Sequence, residues 1–145
     1  MPIEGEYEPS PWDPIREQVE LYETSNGTEG TELEGKPCII LWTKGAKSGK
    51  IRKTPLMRAE SGGEYALIGS MGGAPVAPQW IHNLRATPEA KLQDGPVLKD
   101  YTVRQVEGDE KARWWKVATD VWPSFDEYQA STDRVIPLFV LTPQD

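Results

Sequence analysis

Short apolar segments separated by glycine- and proline-containing turns limit the folds open to this chain more than any other feature of its sequence. The apolar run at residues 38–42 has the length of one buried strand, and a turn rich in glycine and lysine follows it. Further strands are predicted at residues 51–60, 64–70, 90–92, 97–106 and 135–141. Because helices do not alternate with these strands, of which there are about six, the pattern predicts an α+β fold built on a small antiparallel barrel.

About four helices are expected to flank the barrel. Apolar residues near the N-terminus recur at helical spacing and predict a helix over about residues 11–24, with Ser10 as its N-cap and Pro11 at its first position. The apolar face of this helix comprises Trp12, Ile15, Val19 and Tyr22. The other three helices are expected to begin near Pro78, Asp109 and Ser124. The length suits one domain over residues 1–145.

A single cysteine, Cys38, and a single histidine, His82, narrow the chemistry that the chain can perform. They leave no partner for an internal disulfide, a histidine-based metal site or a serine–histidine–aspartate triad. Cys38 lies in an apolar run and is expected to be buried and inert, and His82 is expected to be structural. The sequence has no apolar run long enough to span a membrane and no signal peptide, so a cytoplasmic location is expected.

Charge is distributed unevenly along the chain. The formal net charge of −7 argues against nucleic acid and anionic membranes as partners. Residues 1–34 carry ten acidic side chains and one basic one, whereas residues 44–58, the basic window, carry six basic side chains and no acidic one. The basic window predicts a specific anionic ligand, and the alternative is a hairpin with a solvated charged face. Peripheral membrane contact through the first helix is a further alternative, which its acidic surroundings disfavour.

The turn within the basic window has the residues of a phosphate site. Its glycines allow the backbone to turn sharply and to present successive N–H groups to an anion. Lys47 contributes a point charge, Ser48 a hydroxyl and Arg52 a two-pronged guanidinium, although the spacing is not that of a P-loop. Three bonds to a charged group contribute about 5–9 kcal/mol against an association cost of about 4 kcal/mol or more, so a stacked ring would have to supply further affinity.

A second motif at residues 69–84 joins a Gly-Gly pair to the start of a helix. The glycines allow a planar ring to lie close to the backbone, and the N-terminus of the helix favours an anion. The alternative is a plain connection in which Trp80 is a structural anchor.

In combination, the two motifs resemble the deazaflavin-dependent nitroreductase family of actinobacteria. The pattern is Thr-x-Gly-x-Lys-Ser-Gly-x-x-Arg-x-x-Pro-Leu followed by Gly-Ser-x-Gly-Gly-x-x-x-x-Pro-x-Trp-x-x-Asn-Leu, and the likeness covers about residues 35–143. The resemblance implies a split β-barrel that binds coenzyme F420, a deazaflavin carrying a phosphate and an oligoglutamate tail. It also implies hydride transfer from the reduced coenzyme to a small electron-poor acceptor, either a quinone, an enone or a nitro compound.

The resemblance assigns particular residues to the coenzyme. It places the phosphate on Lys47, Ser48, Arg52 and the backbone of Gly49. It lines the deazaflavin and its linker with Thr54, Pro55, Ser70, Gly72, Gly73, Trp80 and Asn83. Ala46 and Met71 stand where many members carry basic residues, a departure that would alter the preference for the tail or the substrate.

The acceptor site is expected to be walled by aromatic residues at a spacing of three, Trp122, Phe125 and Tyr128. Ser70 or Tyr128 would donate a hydrogen bond to the acceptor oxygen, where charge develops. Only Tyr128 in this triplet carries a hydroxyl, which argues against bicyclic nitroimidazoles as acceptors. The alternative for the triplet is plain core packing.

Two other functions compete with this one. A split barrel associated with FMN or haem would use a similar fold with another cofactor. A non-catalytic module would bind the coenzyme without oxidising it. The sequence leaves the physiological acceptor and the oligomeric state unassigned.

Overall fold

The computed structural model describes residues 3–33, 35–70 and 78–144. Within these residues the chain forms four helices, which are α1 (Asp13–Thr24), α2 (Gln79–Ala86), α3 (Gly108–Val121) and α4 (Ser124–Ala130). The same residues form eight strands, which are β1 (Glu32–Leu33), β2 (Lys36–Lys44), β3 (Ile51–Met57), β4 (Glu60–Ser61), β5 (Glu64–Ile68), β6 (Glu89–Asp94), β7 (Val97–Val106) and β8 (Leu138–Pro143).

The strands form one antiparallel sheet in the order β1-β2-β6-β7-β8-β5-β4, and β3 pairs with β2 at one end. Only Arg58 and Ala59 separate β3 from β4, so the chain itself brings the two ends of the sheet together. The amide of Arg58 donates to the carbonyl of Pro37 at 2.9 Å, and the carbonyl of Ala59 accepts from the amide of Ala66 at 2.8 Å. The sheet therefore curls into a barrel, which confirms the α+β class. The strand count exceeds six because β1 and β4 have two residues each.

Both faces of the central strands are buried, which explains why their apolar runs are nearly continuous. In β2, Ile39 and Leu41 point into the barrel core, whereas Cys38 and Ile40 pack against α1. In β8, alternate residues divide in the same way between the barrel core and a second cluster beneath α3 and α4. Strand side chains alternate between the two faces of a sheet, so a strand covered by protein on both faces needs apolar residues at successive positions.

The strands in the middle of the chain do not pair in simple chain order. A local meander of β2, β3 and β5 would follow the chain order, but β5 pairs with β8, with Leu67 opposite Phe139. The last strand begins at Leu138 rather than at residue 135. Pro137 has no N–H to donate to a ladder, its carbonyl accepts from the amide of Gly69 at 3.0 Å, and Val135 before it is 73% exposed.

The first helix begins two residues later than the sequence predicts, and Ser10 is not its N-cap. The carbonyl of an N-cap residue accepts a hydrogen bond from the amide four residues later. For Ser10 that residue is Pro14, which has no N–H, so Ser10 cannot begin the helical hydrogen bonds. The carbonyl of Trp12 instead accepts from Arg16 at 3.1 Å, so Trp12 is the N-cap. Helix α4 begins at Ser124, as the sequence predicts, and its N-cap is Pro123.

The apolar face of α1 packs on the barrel. Val19 and Tyr22 are each about 1% exposed and lie against Cys38 and Ile40, so neither side chain is available to lipid. The hydroxyl of Tyr22 accepts from the amide of Gly95 at 2.7 Å, which ties α1 to the β6–β7 turn. Among the described residues, no helix is long and apolar enough to cross a bilayer.

Candidate functional site

A cleft of about 1050 Å³ runs between the turn after β2, the start of α2, helix α4 and the segment that precedes α1. Ten of the residues predicted for the site line it, namely Lys47, Ser48, Arg52, Thr54, Ser70, Trp80, Asn83, Trp122, Phe125 and Tyr128. Gly49 and Pro55 are not among the lining residues, and Pro55 lies buried in β3 opposite Ile40. Gly72 and Gly73 lie outside the described residues.

The turn at residues 45–50 satisfies several of its own backbone groups. Gly45 donates its N–H to the carbonyl of Lys50 at 2.8 Å, and Gly49, at φ +71°, donates to the carbonyl of Gly45 at 3.0 Å. The oxygen of Ser48 accepts from the amide of Lys50 at 3.1 Å, which leaves its O–H free to donate into the cleft. The Gly49 amide is therefore already bonded within the turn and is not free to donate to an anion in the cleft.

Asn83 fastens this turn to α2. Its Oδ1 accepts from the amide of Ala46 at 3.0 Å, and its Nδ2 donates to Oγ1 of Thr43 at 3.1 Å. Asn83 and Thr43 are 2% and 1% exposed, so water does not reach these groups. Each bond therefore satisfies a polar atom that would otherwise be buried without a partner. The sequence motif marked Asn83 as a residue that lines the ring, but its bracing role was missed because nothing in the spacing shows that the turn and α2 touch.

Half of the cations in the basic window are paired within the protein. Arg52 pairs with Glu8 at 3.0 Å, Lys53 with Glu23 at 2.6 Å and Arg58 with Asp94 at 2.8 Å. The ammonium of Lys53 also lies 4.2 Å from the ring centre of Tyr7 and 4.0 Å from that of Trp42.

The other three basic side chains, Lys44, Lys47 and Lys50, form no ion pair in the described part of the chain. Of these three, Lys47 lines the cleft. Lys47 therefore faces the cleft without an ion-pair partner among the described residues, whereas Arg52 and Lys53 line the same cleft while each pairs with a carboxylate.

The segment before α1 forms one wall of the cleft, a contribution that the sequence reasoning missed. Tyr7 forms a parallel bridge with Ile51, and the amide of Glu8 donates to the carbonyl of Ile51 at 2.8 Å. This pairing brings Glu8, Ser10, Trp12 and Ile15 to the cleft surface. The opposite charges of residues 1–34 and the basic window were the signal for this contact.

The predicted aromatic wall is present and also belongs to the core. Phe125 is 8% exposed and packs edge-on against Tyr128, with ring centres 6.1 Å apart. The indole Nε1 of Trp122 donates to the hydroxyl oxygen of Tyr128 at 3.0 Å. Phe125 fills the cluster under α3 and α4, as the core-packing alternative predicts, and all three residues also line the cleft, so their contact with an acceptor stays a prediction.

Ser70 lines the cleft and is 6% exposed. Its carbonyl accepts from Nη2 of Arg134 at 2.8 Å. Gln129, one residue after Tyr128, donates to the carbonyl of Arg134 at 2.9 Å and accepts from the amide of Ile136 at 2.8 Å. Arg134 and Gln129 therefore connect the segment that carries Ser70 to the helix that carries the aromatic wall, a link absent from the sequence prediction.

The shape and chemistry of the cleft suit a planar ring with an anionic arm. Trp80 contributes a buried indole, held edge-on against Phe139 with ring centres 5.9 Å apart, while Leu56, Met57 and Ile68 add aliphatic surface. Lys47, Ser48 and Arg52 add charged and polar groups to the same cleft. A largely apolar cleft with a few placed polar groups is the usual form of a cofactor site.

Cys38 and His82, which were expected to take no part in the chemistry, lie apart from this site. Cys38 is buried, and its burial raises the pKa of the thiol to about 11, so it stays protonated near neutral pH. His82 is exposed on α2 and does not line the cleft. The described residues contain no group of three His, Cys, Asp or Glu side chains that could hold a metal ion.

Residues 14–143 match the family model of the F420H(2)-dependent quinone reductases. The chain belongs to this family. An F420H(2)-dependent quinone reductase of Mycobacterium tuberculosis strain H37Rv is 35% identical over 126 residues, which cover 84% of this chain and 85% of that protein.

Solved structures of family relatives agree with this membership. That of an F420-H2 dependent reductase is 46% identical with a TM-score of 0.70, covering 73% of this chain and 94% of that one. A chain solved as a domain-swapped dimer is 43% identical with a TM-score of 0.73, and the match covers 92% of this chain and 100% of that one.

Membership in the F420H(2)-dependent quinone reductases confirms the resemblance drawn from the two motifs. It makes the chain an oxidoreductase whose coenzyme is F420, and the FMN alternative is not needed. The family description names quinone reduction and not nitro reduction, so nitroreductase is an imprecise label for this chain.

Proposed function

We propose that this member of the F420H(2)-dependent quinone reductases uses the cleft of about 1050 Å³ to hold both reduced F420 and a quinone, so that a hydride passes directly between them. The observation that carries the proposal is the position of the cationic turn and the aromatic wall on one cleft. The reduced deazaflavin supplies two electrons and a proton as hydride when bound. The protein contributes binding, orientation and hydrogen bonding.

The coenzyme phosphate is assigned to the end of the cleft at Lys47, Ser48 and Arg52. The hydroxyl of Ser48 already accepts a bond from Lys50, so its own proton is free to point at a phosphate oxygen. The guanidinium of Arg52 can present two parallel donors to the same group. Asn83 holds the turn that carries these side chains and so fixes their distance from the apolar part of the cleft.

The ring is assigned to the surface between Thr54, Ser70 and Trp80, which leaves Trp122, Phe125 and Tyr128 as the wall of the acceptor site. Trp122 donates to the Tyr128 oxygen, so the phenol proton of Tyr128 remains available for an acceptor carbonyl. A donor at the oxygen where negative charge develops stabilises the transition state more than the ground state. A reduced quinone then takes its last proton from water.

The test is oxidation of F420H2 by the purified protein, followed by absorbance, with menadione, a cyclic enone and a bicyclic nitroimidazole as acceptors. We expect turnover with menadione and little or none with the nitroimidazole. Coenzyme binding without turnover on any acceptor would favour a non-catalytic binding module. Binding of FMN without binding of F420 would contradict the proposal altogether.

A further inference from the structure

The Arg52 side chain assigned to the coenzyme phosphate already has a carboxylate partner inside the protein. Nη1 of Arg52 lies 3.0 Å from Oε1 of Glu8, and both residues line the cleft. The two residues are 44 positions apart in sequence, so the contact results from the fold rather than from local geometry. If the coenzyme binds as proposed, its anionic arm meets Arg52 with part of the positive charge offset by Glu8. The arm also meets the negative charge of the Glu8 carboxylate itself.

The backbone holds Glu8 in this position. The amide of Ile51 donates to the carbonyl of Glu6 at 2.7 Å, and the amide of Glu8 donates to the carbonyl of Ile51 at 2.8 Å. Gly5, at φ +157°, lies so close to the turn that a β-carbon there would be 2.7 Å from the carbonyl oxygen of Gly49. The segment therefore runs along β3 as an extra short pairing and not as a loose tail.

A side-chain contact fixes the same segment from the other side. Lys53 places its ammonium over the ring of Tyr7 while it pairs with Glu23 of α1. A cation over an aromatic ring is attracted to its face, the more so when partly desolvated, and the Lys53 side chain is 9% exposed. Tyr7 immediately precedes Glu8, so the contact between Lys53 and Tyr7 restricts the position of the Glu8 backbone and with it the reach of the Glu8 carboxylate.

We propose that Glu8 is an affinity-determining residue of the coenzyme site, whose carboxylate competes with the phosphorylated arm of F420 for Arg52. The proposal rests on the proposed function, because it takes the phosphate to bind at Arg52. The Glu8 carboxylate and the phosphate are both negative and repel each other near the Arg52 guanidinium. The net binding free energy of the phosphate at Arg52 is therefore reduced by the free energy of the Glu8 contact that it replaces. Glu8 thus weakens coenzyme binding and favours release of the oxidised coenzyme after turnover.

The size of the effect follows from the exposure of the pair. The side chains of Arg52 and Glu8 are 33% and 42% exposed, so water and salt screen their attraction. An exposed pair contributes up to about 1 kcal/mol, which corresponds to a change of about fivefold in a dissociation constant. Glu8→Gln should therefore tighten F420 binding by up to about fivefold.

Glu6→Gln is the matched control. It removes the same charge from an exposed side chain two residues away, while the backbone carbonyl of Glu6 keeps its bond to Ile51. Titration of the wild type, Glu8→Gln and Glu6→Gln with F420, followed by fluorescence, should give tighter binding for Glu8→Gln alone. Binding of the deazaflavin that lacks the phosphate should be the same for all three proteins. In an Arg52→Gln background, Glu8→Gln should give no gain.

Unchanged or weaker F420 binding by Glu8→Gln, or an equal gain for Glu6→Gln, would overturn the inference while leaving the coenzyme site intact. An equal gain in the Arg52→Gln background would overturn it too, since Glu8 would then act through the general field. Failure of the wild type itself to bind F420 would instead refute the proposed function, and this inference with it.

Discussion

Nε1 of Trp122 donates a hydrogen bond to the hydroxyl oxygen of Tyr128 over 3.0 Å. The two residues stand six positions apart, one at the end of α3 and the other on α4. An N–H that occupies one lone pair of the phenol oxygen restricts the directions in which the phenol proton can point. The pair therefore acts as one unit in the wall of the cleft, with Trp122 positioning the group that Tyr128 presents.

Replacing Trp122 by phenylalanine should remove this constraint while keeping an aromatic wall. A lost hydrogen bond of about 1 kcal/mol predicts a fall of about fivefold in kcat with menadione, with the KM for F420H2 unchanged. Steady-state kinetics with each substrate varied in turn measures both values. In a Tyr128→Phe background the same change at Trp122 should have no further effect, and an additive loss would show that the indole acts independently of the phenol.

Replacing Asn83 by alanine should loosen the cationic turn. The substitution leaves the Ala46 amide and the Thr43 hydroxyl without their buried partner, at a cost of about 1–3 kcal/mol in the free energy of unfolding. Urea denaturation measures that cost, and F420 titration should show weaker binding in parallel. His82→Ala, on the exposed side of the same helix, is the control and should change neither value.

Arg134 is expected to hold Ser70 at the distance the acceptor needs. Arg134→Met removes the donor to the Ser70 carbonyl and should lower kcat with menadione about fivefold, an effect of about 1 kcal/mol, with little change in F420 affinity. Arg134→Lys keeps one cationic donor and should recover part of the rate. Equal losses for both variants would indicate a packing role and not a hydrogen-bonding one.

Cys38 should resist thiol reagents in the folded protein. Burial raises the pKa of its thiol to about 11, whereas an unfolded cysteine ionises near pH 8.5. The raised pKa means that the folded state disfavours the thiolate, so stability falls as the pH rises from about 8.5 towards 11. Labelling with a chromogenic disulfide at pH 8 should be slow in buffer and complete in urea. Fast labelling of the native protein would contradict the buried position.

The sequence predicted the part of the site that is local in the chain. Lys47, Ser48 and Arg52 fall within six residues, and Trp122, Phe125 and Tyr128 within seven, so turn chemistry and helical spacing sufficed to group each set. Joining the two sets on one cleft required the family resemblance, because no local rule places α4 beside the turn after β2. The continuous apolar runs likewise marked β2 and β8 as strands but did not show which strands they pair with.

Three of the contributions that went unpredicted arise from long-range contacts. Glu8 reaches Arg52 across 44 residues, Asn83 reaches Ala46 across 37, and Arg134 reaches Ser70 across 64. The true start of α1 follows from the sequence alone once the missing N–H of Pro14 is considered. A contact between distant segments cannot be derived in this way, because it depends on how the strands pair to form the barrel. Charge complementarity between the acidic N-terminus and the basic window was the one usable sign of such a contact.

Binding of F420 to the wild type and to Arg52→Ala tests the assignment of the phosphate most directly. Lys116→Ala, which removes the same charge from the exposed surface of α3, is the control. The expected result is a dissociation constant raised about tenfold or more for Arg52→Ala, an effect of about 1.4 kcal/mol, and unchanged for Lys116→Ala. A dissociation constant for Arg52→Ala equal to that of the wild type would place the coenzyme phosphate elsewhere and contradict the account.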